Sequence, residues 1–171
     1  MATHFNISGE LTKELLAPGD NYRVSKISLT NTQKVSKCKV DLYIEKKLTG
    51  KFYLLKGVEL PIGATLVYED IKFSNAANEF GLYIKLTDGA TFTMTGSIDV
   101  TGTNTNVPGT STLYTSELSV GDEIVVSGET RTISSITGNT TAVVSAAWGS
   151  DLANDTSPDC NPTALVDVII N

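Results

Sequence analysis

Side chains able to do chemistry are scarce. The chain of 171 residues holds one histidine, His4, two cysteines and one tryptophan. A hydrolytic triad or an acid–base pair needs an oriented base with partners. His4 stands near the N-terminus, and nothing in the pattern orients it. Cys38 and Cys160 lie far apart, without the paired spacing of a metal knuckle. Two free thiols are expected unless the fold brings them together. Cys38 also falls on the apolar side of a strand pattern, where a thiol is structural rather than reactive. No GxxxxGK[ST] phosphate loop occurs. No apolar run approaches the ~20 residues that cross a bilayer. The opening MATHFNISGEL has neither the basic nor the apolar region of a secretory signal. A Sec signal is therefore not expected, and work outside a cell would need another route, such as lysis.

Cations are scarce in one part only. The formal net charge is −6. Residues 1–100 hold 12 Lys/Arg against 11 Asp/Glu, while residues 101–171 hold Arg131 alone against eight acids. This balance argues against nucleic acid, whose phosphates need clustered cations. It argues equally against an anionic membrane surface. The break in charge also suggests two modules with different surfaces. Asp151, Asn154, Asp155 and Asp159 gather oxygen ligands in one loop, yet lack the spacing of an EF-hand. A solvated acidic loop is expected there, with no metal and no cofactor. Glu69-Asp70 and Asp122-Glu123 are adjacent pairs, and neighbours on a strand point to opposite faces.

What the chain does have is strand after strand. VSKISLTN (24–31) alternates. KCKVDLYIEKK (37–47) puts Cys38, Val40, Leu42 and Ile44 on one face and Lys37, Lys39, Asp41, Tyr43 and Glu45 on the other. Period two with one polar face is a half-buried antiparallel strand. KFYLLKGVEL (51–60), PIGATLVYEDIKF (61–73), FGLYIKLTDG (80–89) and TFTMTGSIDVTG (91–102) continue the theme, the third of them ending in an Asp-Gly turn. ELTKELLAPGD (10–20) carries a weak helical signal of one or two turns, stopped at Pro18-Gly19. Farther on, DEIVVSGETRTISSI reads as a hairpin turning at Ser127-Gly128-Glu129. TGNTTAVVSAAW supplies a Gly138-Asn139 turn and a further strand closed by Trp148. The tail ALVDVIIN (164–171) is a buried-strand pattern, and SIDV (97–100) resembles its LVDV (165–168).

The expected fold is all-β: an antiparallel β-sandwich with an inserted small β-barrel-like module. Residues 1–101 plus 162–171 form the sandwich in this reading. Residues 102–161 form the insert with its acidic loop, placed where insertions are tolerated.

Two resemblances add to this. TSELSVGDEIVVSGETRTISSITGNTTAVVSAAW resembles a small all-β module common in bacteriophage tail and other virion proteins. VSKISLTNTQKVSKCKVDLYIEKKLTGKFYLLKGVELPIGATLVYEDIKF, with LYIKLTDGA and VDVII, resembles small virion-associated proteins of tailed phages, including cyanophages and their marine relatives. Shorter members of that family end in a strand like LVDVII and lack the insertion. The resemblance implies a structural protein of the particle and brings no motif with assignable residues.

The expected function is therefore a non-enzymatic structural component of a tailed-phage virion, assembled in the bacterial host cytoplasm. The sandwich would dock on capsid, neck or tail proteins with the insert projecting outward, as a capsid decoration or accessory protein ahead of a neck or tail component. Many copies, or a homo-oligomer, would supply avidity. Lys37, Lys39, Lys46, Lys47 and Lys51 are the candidate docking patch for an acidic partner. Glu123, Glu129 and Arg131 are the candidate rim of the insert. The alternative is a module that binds a host-surface glycan. Tyr22, Tyr43, Tyr53, Tyr68, Tyr83 and Tyr114 mark either such an interface or amphipathic packing, and packing is the commoner use.

Overall fold

The computed structural model describes residues 2–46, 49–76 and 79–171. In chain order these form β1 (Thr3–Ser8), β2 (Thr12–Leu16), β3 (Arg23–Asn31), β4 (Cys38–Lys46), β5 (Gly50–Leu60), β6 (Thr65–Ser74), β7 (Gly81–Thr87), β8 (Phe92–Thr93) and β9 (Ser97–Val100). There follow β10 (Asn106–Thr110), α1 (Tyr114–Glu117), β11 (Glu123–Val126), β12 (Glu129–Gly138), β13 (Thr141–Val144), β14 (Leu152–Asp155), β15 (Asp159–Asn161) and β16 (Leu165–Ile170). The protein is all-β, with antiparallel pairing throughout. Two compact units share the chain: Met1–Gln33, Lys37–Asp88 and Ala164–Asn171 make the first, Lys34–Ser36 and Gly89–Thr163 the second.

The first unit is a sandwich of two four-stranded sheets, β1-β16-β3-β6 and β2-β7-β4-β5. Its pairing is nested. β4 pairs with β5, β3 with β6, β2 with β7 and β1 with β16. One long antiparallel ribbon is thereby rolled up, and the roll adds the contacts β16–β3 and β4–β7. This connectivity is a jelly roll. Its core holds Ile27, Leu29, Val40, Leu42, Leu82, Ile84, Leu86, Val168 and Ile170, all without solvent exposure.

Local irregularities have packing causes. The weak helical signal at 10–20 is overridden: Thr12–Leu16 is a strand, because pairing with β7 puts Leu15 and Leu16 into the core. The alternation at 24–31 slips one step, so that Val24 and Ile27 both face inward. The partner strand absorbs the slip by placing residues 70–72 opposite Ser25 alone, with Asp70 at φ 60°.

The second unit is an open, eight-stranded sheet, β14-β9-β10-β13-β12-β11-β15-β8. It wraps a core of its own around Trp148, Tyr114, Ile98, Leu118, Ile124 and Val126. It begins earlier than expected. β8 and β9, assigned above to the sandwich, pair instead with β15, β10 and β14. Met94, Ile98 and Val100 accordingly enter the second core. The likeness of 97–100 to 165–168 reflects strand alternation and not a shared sheet. The β11–β12 hairpin turns through Ser127 (φ 47°) and Gly128 (φ 89°). Two successive positive φ values are the primed turn that suits a twisted hairpin.

One buried aspartate ties this unit together. Asp122 has no exposed surface. Its carboxylate accepts from the Ser119 N–H at 2.7 Å and from the Thr163 N–H at 2.9 Å. Its own carbonyl accepts from Ile133 N–H at 2.8 Å. The VGD turn is thus the knot that joins the start of β11, the middle of β12 and the end of the unit. Asp122→Ala should cost the second unit about 3 kcal/mol, since a buried and a part-buried N–H donor lose a charged acceptor. Asp122→Asn should cost less. Urea unfolding followed by the fluorescence of Trp148, the sole tryptophan, measures both.

The two cysteines are free and buried, one in each core. Burial pushes the Cys38 thiol up to about 11 and raises Cys160 as well. Neither should react with a disulfide reagent at pH 8 in the folded protein, and both should react after denaturation, as thiol titration will show.

Candidate interaction face

The outer face of β2-β7-β4-β5 carries the most distinctive surface of the first unit. Register aligns Glu14, Tyr83, Tyr43 and Tyr53 in one row across all four strands. Tyr43 and Tyr83 stack with centroids 5.7 Å apart, and Tyr43 and Tyr53 tilt together at 5.6 Å. A Cβ on Gly81 would stand 2.7 Å from the Tyr83 ring, so the bare glycine lets that ring lie down over its own strand. The Lys51 ammonium sits 4.5 Å above Tyr43, and that of Lys56 sits 4.8 Å from Tyr53. Tyr43 is 2% exposed although it lies on the outer face, whereas Tyr53 is 44% exposed. The row therefore has a sealed middle and an open aromatic end on β5, an edge strand.

Charges around the row are matched strand to strand. Asp41 faces Lys85, Glu45 faces Lys51 and Lys39 faces Glu59. Lys37 bonds Glu59 at 2.8 Å, which holds the Glu59 carboxyl below its ordinary range. Lys46 pairs with Glu79 at 3.4 Å and lies 5.8 Å from the Phe80 ring. Lys51 is raised, first by its bond to the Tyr43 hydroxyl. Lys47 lies outside the described residues. The lysines proposed as a docking patch are thus interleaved with acids, and the face is nearly neutral with an aromatic centre. Sequence spacing located the strand face but not the cross-strand partners that neutralise it. Of the other tyrosines, Tyr22 bonds Thr3 at 2.6 Å, Tyr68 packs on the sandwich core and Tyr114 lies in the second core.

The expected rim of the second unit is engaged internally. The Glu129 carboxylate accepts from Gly149 N–H, Ser150 Oγ and Arg131 Nη2, each at 2.8–2.9 Å. These bonds, the Gly149 N–H first, hold its carboxyl below the ordinary range. Arg131 also donates to the carbonyls of Ala147 and Thr130 and lies 5.3 Å from the Trp148 ring. Together they clasp the loop after β13 onto the start of β12. Glu123 is exposed on β11, opposite Thr132 and Asn161.

In the acidic loop, Asp151 accepts from Gly102 N–H at 2.7 Å, Asp155 from Ser157 N–H at 2.9 Å, and Asp159 from Thr93 Oγ1 at 2.8 Å. Each carboxylate caps a different turn or strand. Among the described residues no group of three His, Cys, Asp or Glu is placed to hold a metal. His4 lies opposite Ile169 on β1.

Tyr83 donates to Glu14 at 2.8 Å, and this bond pushes its phenol up to about 12. An unfolded tyrosine ionises near ~10. The stability contributed by this bond is therefore complete below the unfolded value and declines as pH rises towards 12. Tyr83→Phe should make the urea midpoint fall less steeply above pH 10 than in the parent.

No family model and no curated protein matches the chain. Among solved structures, a serine protease of Aeromonas sobria aligns with 100% of this chain at 9% identity and a TM-score of 0.26. The chain spans 26% of that protein's length, and a likeness of this degree carries no argument about fold or chemistry.

Proposed function

We propose that this protein is a non-enzymatic structural component of a tailed-phage particle, and that the outer face of the β2-β7-β4-β5 sheet is its docking surface. The observation that carries the reading is the Tyr83–Tyr43–Tyr53 row, open at Tyr53 and ringed by matched charges. Protein interfaces have this anatomy: an aromatic centre depleted of unpaired charge, with a polar rim. Energy concentrates in such buried anchors, and tyrosine is among the commonest. Lysine and glutamate pairs at the rim set register and exclude wrong partners rather than add much affinity. This replaces attraction to an acidic partner by an aromatic contact as the basis of docking.

Three further points bear on the reading. The sequence resembles small virion proteins over most of the first unit. Jelly rolls also recur in viral capsid and lectin domains, an analogy of fold rather than evidence of function. The carboxylates of the second unit described above mostly cap backbone groups, which suits a displayed module better than a reacting one. Capsid decoration is preferred to a neck or tail position, with many weak contacts combined by repetition. The second reading, a glycan-binding module on the particle, is favoured by a different place, the cleft between β3 and β6.

Particles assembled with Tyr53→Glu should lose the protein, at least thirtyfold in occupancy, for an anchor worth about 2 kcal/mol or more. Lys37→Gln should change occupancy less than twofold. Quantitative mass spectrometry of purified particles, with a particle reconstruction, reads both. Normal incorporation of Tyr53→Glu, or no density for the protein on the particle, would sink the proposal.

A further inference from the structure

The slip in β3–β6 pairing leaves a concave site on the first unit. With residues 70–72 of β6 opposite Ser25 alone, the edge strand bows away from its partner. The resulting cleft of about 330 Å³ is lined by Arg23, Val24, Ser25, Ile71, Lys72, Phe73 and Ser74. A second cleft of about 300 Å³ adjoins it through Arg23 and adds Asn21, Tyr22 and Asn171. Bulges re-aim side chains beside binding sites, and Asp70 at φ 60° is the left-handed backbone that makes this one.

The chemistry of the cleft is divided. Val24 and Ile71 are buried, and Phe73 is half-buried, giving an apolar floor. Arg23, Ser25, Lys72 and Ser74 are exposed above it, two cations and two hydroxyls. Neither Arg23 nor Lys72 takes part in an ion pair among the described residues, in contrast to the matched lysines of the other sheet. The neighbouring Glu69 is engaged by Lys26 at 3.0 Å, and Asp70 is not among the lining residues. Ser25 Oγ donates to the Asn171 carbonyl at 3.2 Å, which leaves its oxygen free to accept.

The geometry points to a binding site for a single carboxylated sugar. Its carboxylate would be held by Arg23, whose planar fork matches a carboxylate, with Lys72 as a second charge. The half-buried Phe73 would supply the apolar contact to the ring, and ring hydroxyls would meet Ser25 and Ser74. The volume lies at the lower end of the ~300–1,000 Å³ range of small-molecule sites, enough for one ring and not for a chain segment. This inference names a ligand for the glycan-binding reading and stands apart from the docking proposal.

The test is titration of the full chain with methyl glucuronide, methyl glucoside and inorganic phosphate, followed by amide chemical shifts. The glucuronide should bind saturably, with shifts at Arg23, Ser25, Lys72 and Ser74. The neutral glycoside and phosphate should each bind at least tenfold more weakly. Arg23→Gln and Lys72→Gln should each weaken the glucuronide about tenfold while the amide shifts of the first unit's core residues, such as Leu42 and Ile84, stay unchanged. Phosphate binding as tightly as the glucuronide, binding retained in both variants, or no saturable shift would overturn the inference. None of these outcomes bears on whether Tyr53→Glu enters the particle.

Discussion

The jelly roll depends on a strand that comes last. β16 lies between β1 and β3, so both receive their inner hydrogen bonds from residues 165–170. Val166, Val168 and Ile170 fill the core from the same strand. Without it, β1 has no partner and β3 keeps only β6, and a sheet reduced to a single ribbon is marginal in water. Everything in the first unit, including the tyrosine row on the opposite sheet, therefore waits on a segment that follows the whole second unit.

Once that strand is in place, the two units use their charges differently. On the β2-β7-β4-β5 face of the first, opposite charges face each other across strands, and the surface left over is aromatic. On the second, carboxylates are turned towards backbone N–H groups: Asp122, Glu129, Asp151 and Asp155 all hold turns or loops. The excess of acid in residues 101–171 is thus partly a folding device. In a unit with short strands and a long list of turns, backbone donors outnumber the ladder positions that could satisfy them, and short acidic side chains are efficient acceptors.

Much of this was legible in the residues. Alternation in KCKVDLYIEKK placed Cys38, Val40 and Leu42 inside and Tyr43 outside, as the fold has them. SGE marked a hairpin, and its Ser-Gly pair is the turn. The unread parts are those fixed by pairing between distant strands. Nothing in TKELL reveals that β7 will recruit it. Nothing in SIDV says which core will take Ile98. Lys37 and Lys39 looked like a patch because the acid that meets them, Glu59, lies on another strand. Likewise the cleft at Arg23 exists only because β6 carries two residues more than β3 between two rungs, a mismatch that neither strand shows alone.

One small contact has a kinetic consequence. The Ala164 N–H donates to the Asp88 carboxylate at 2.6 Å, so the two points where the chain leaves and re-enters the first unit are fastened to each other. The second unit is nearly continuous in sequence and can fold as soon as it is made. Doing so brings its ends into register for that bond. To β7 and β16 the intervening residues then count as a short linker rather than as a long flexible loop whose closure grows costlier with length. The separation of Asn6 from Asp167, 161 positions along the chain, shortens to about 85 once the 76 positions between Asp88 and Ala164 are bridged, and the contact order that governs the rate is that of the condensed chain.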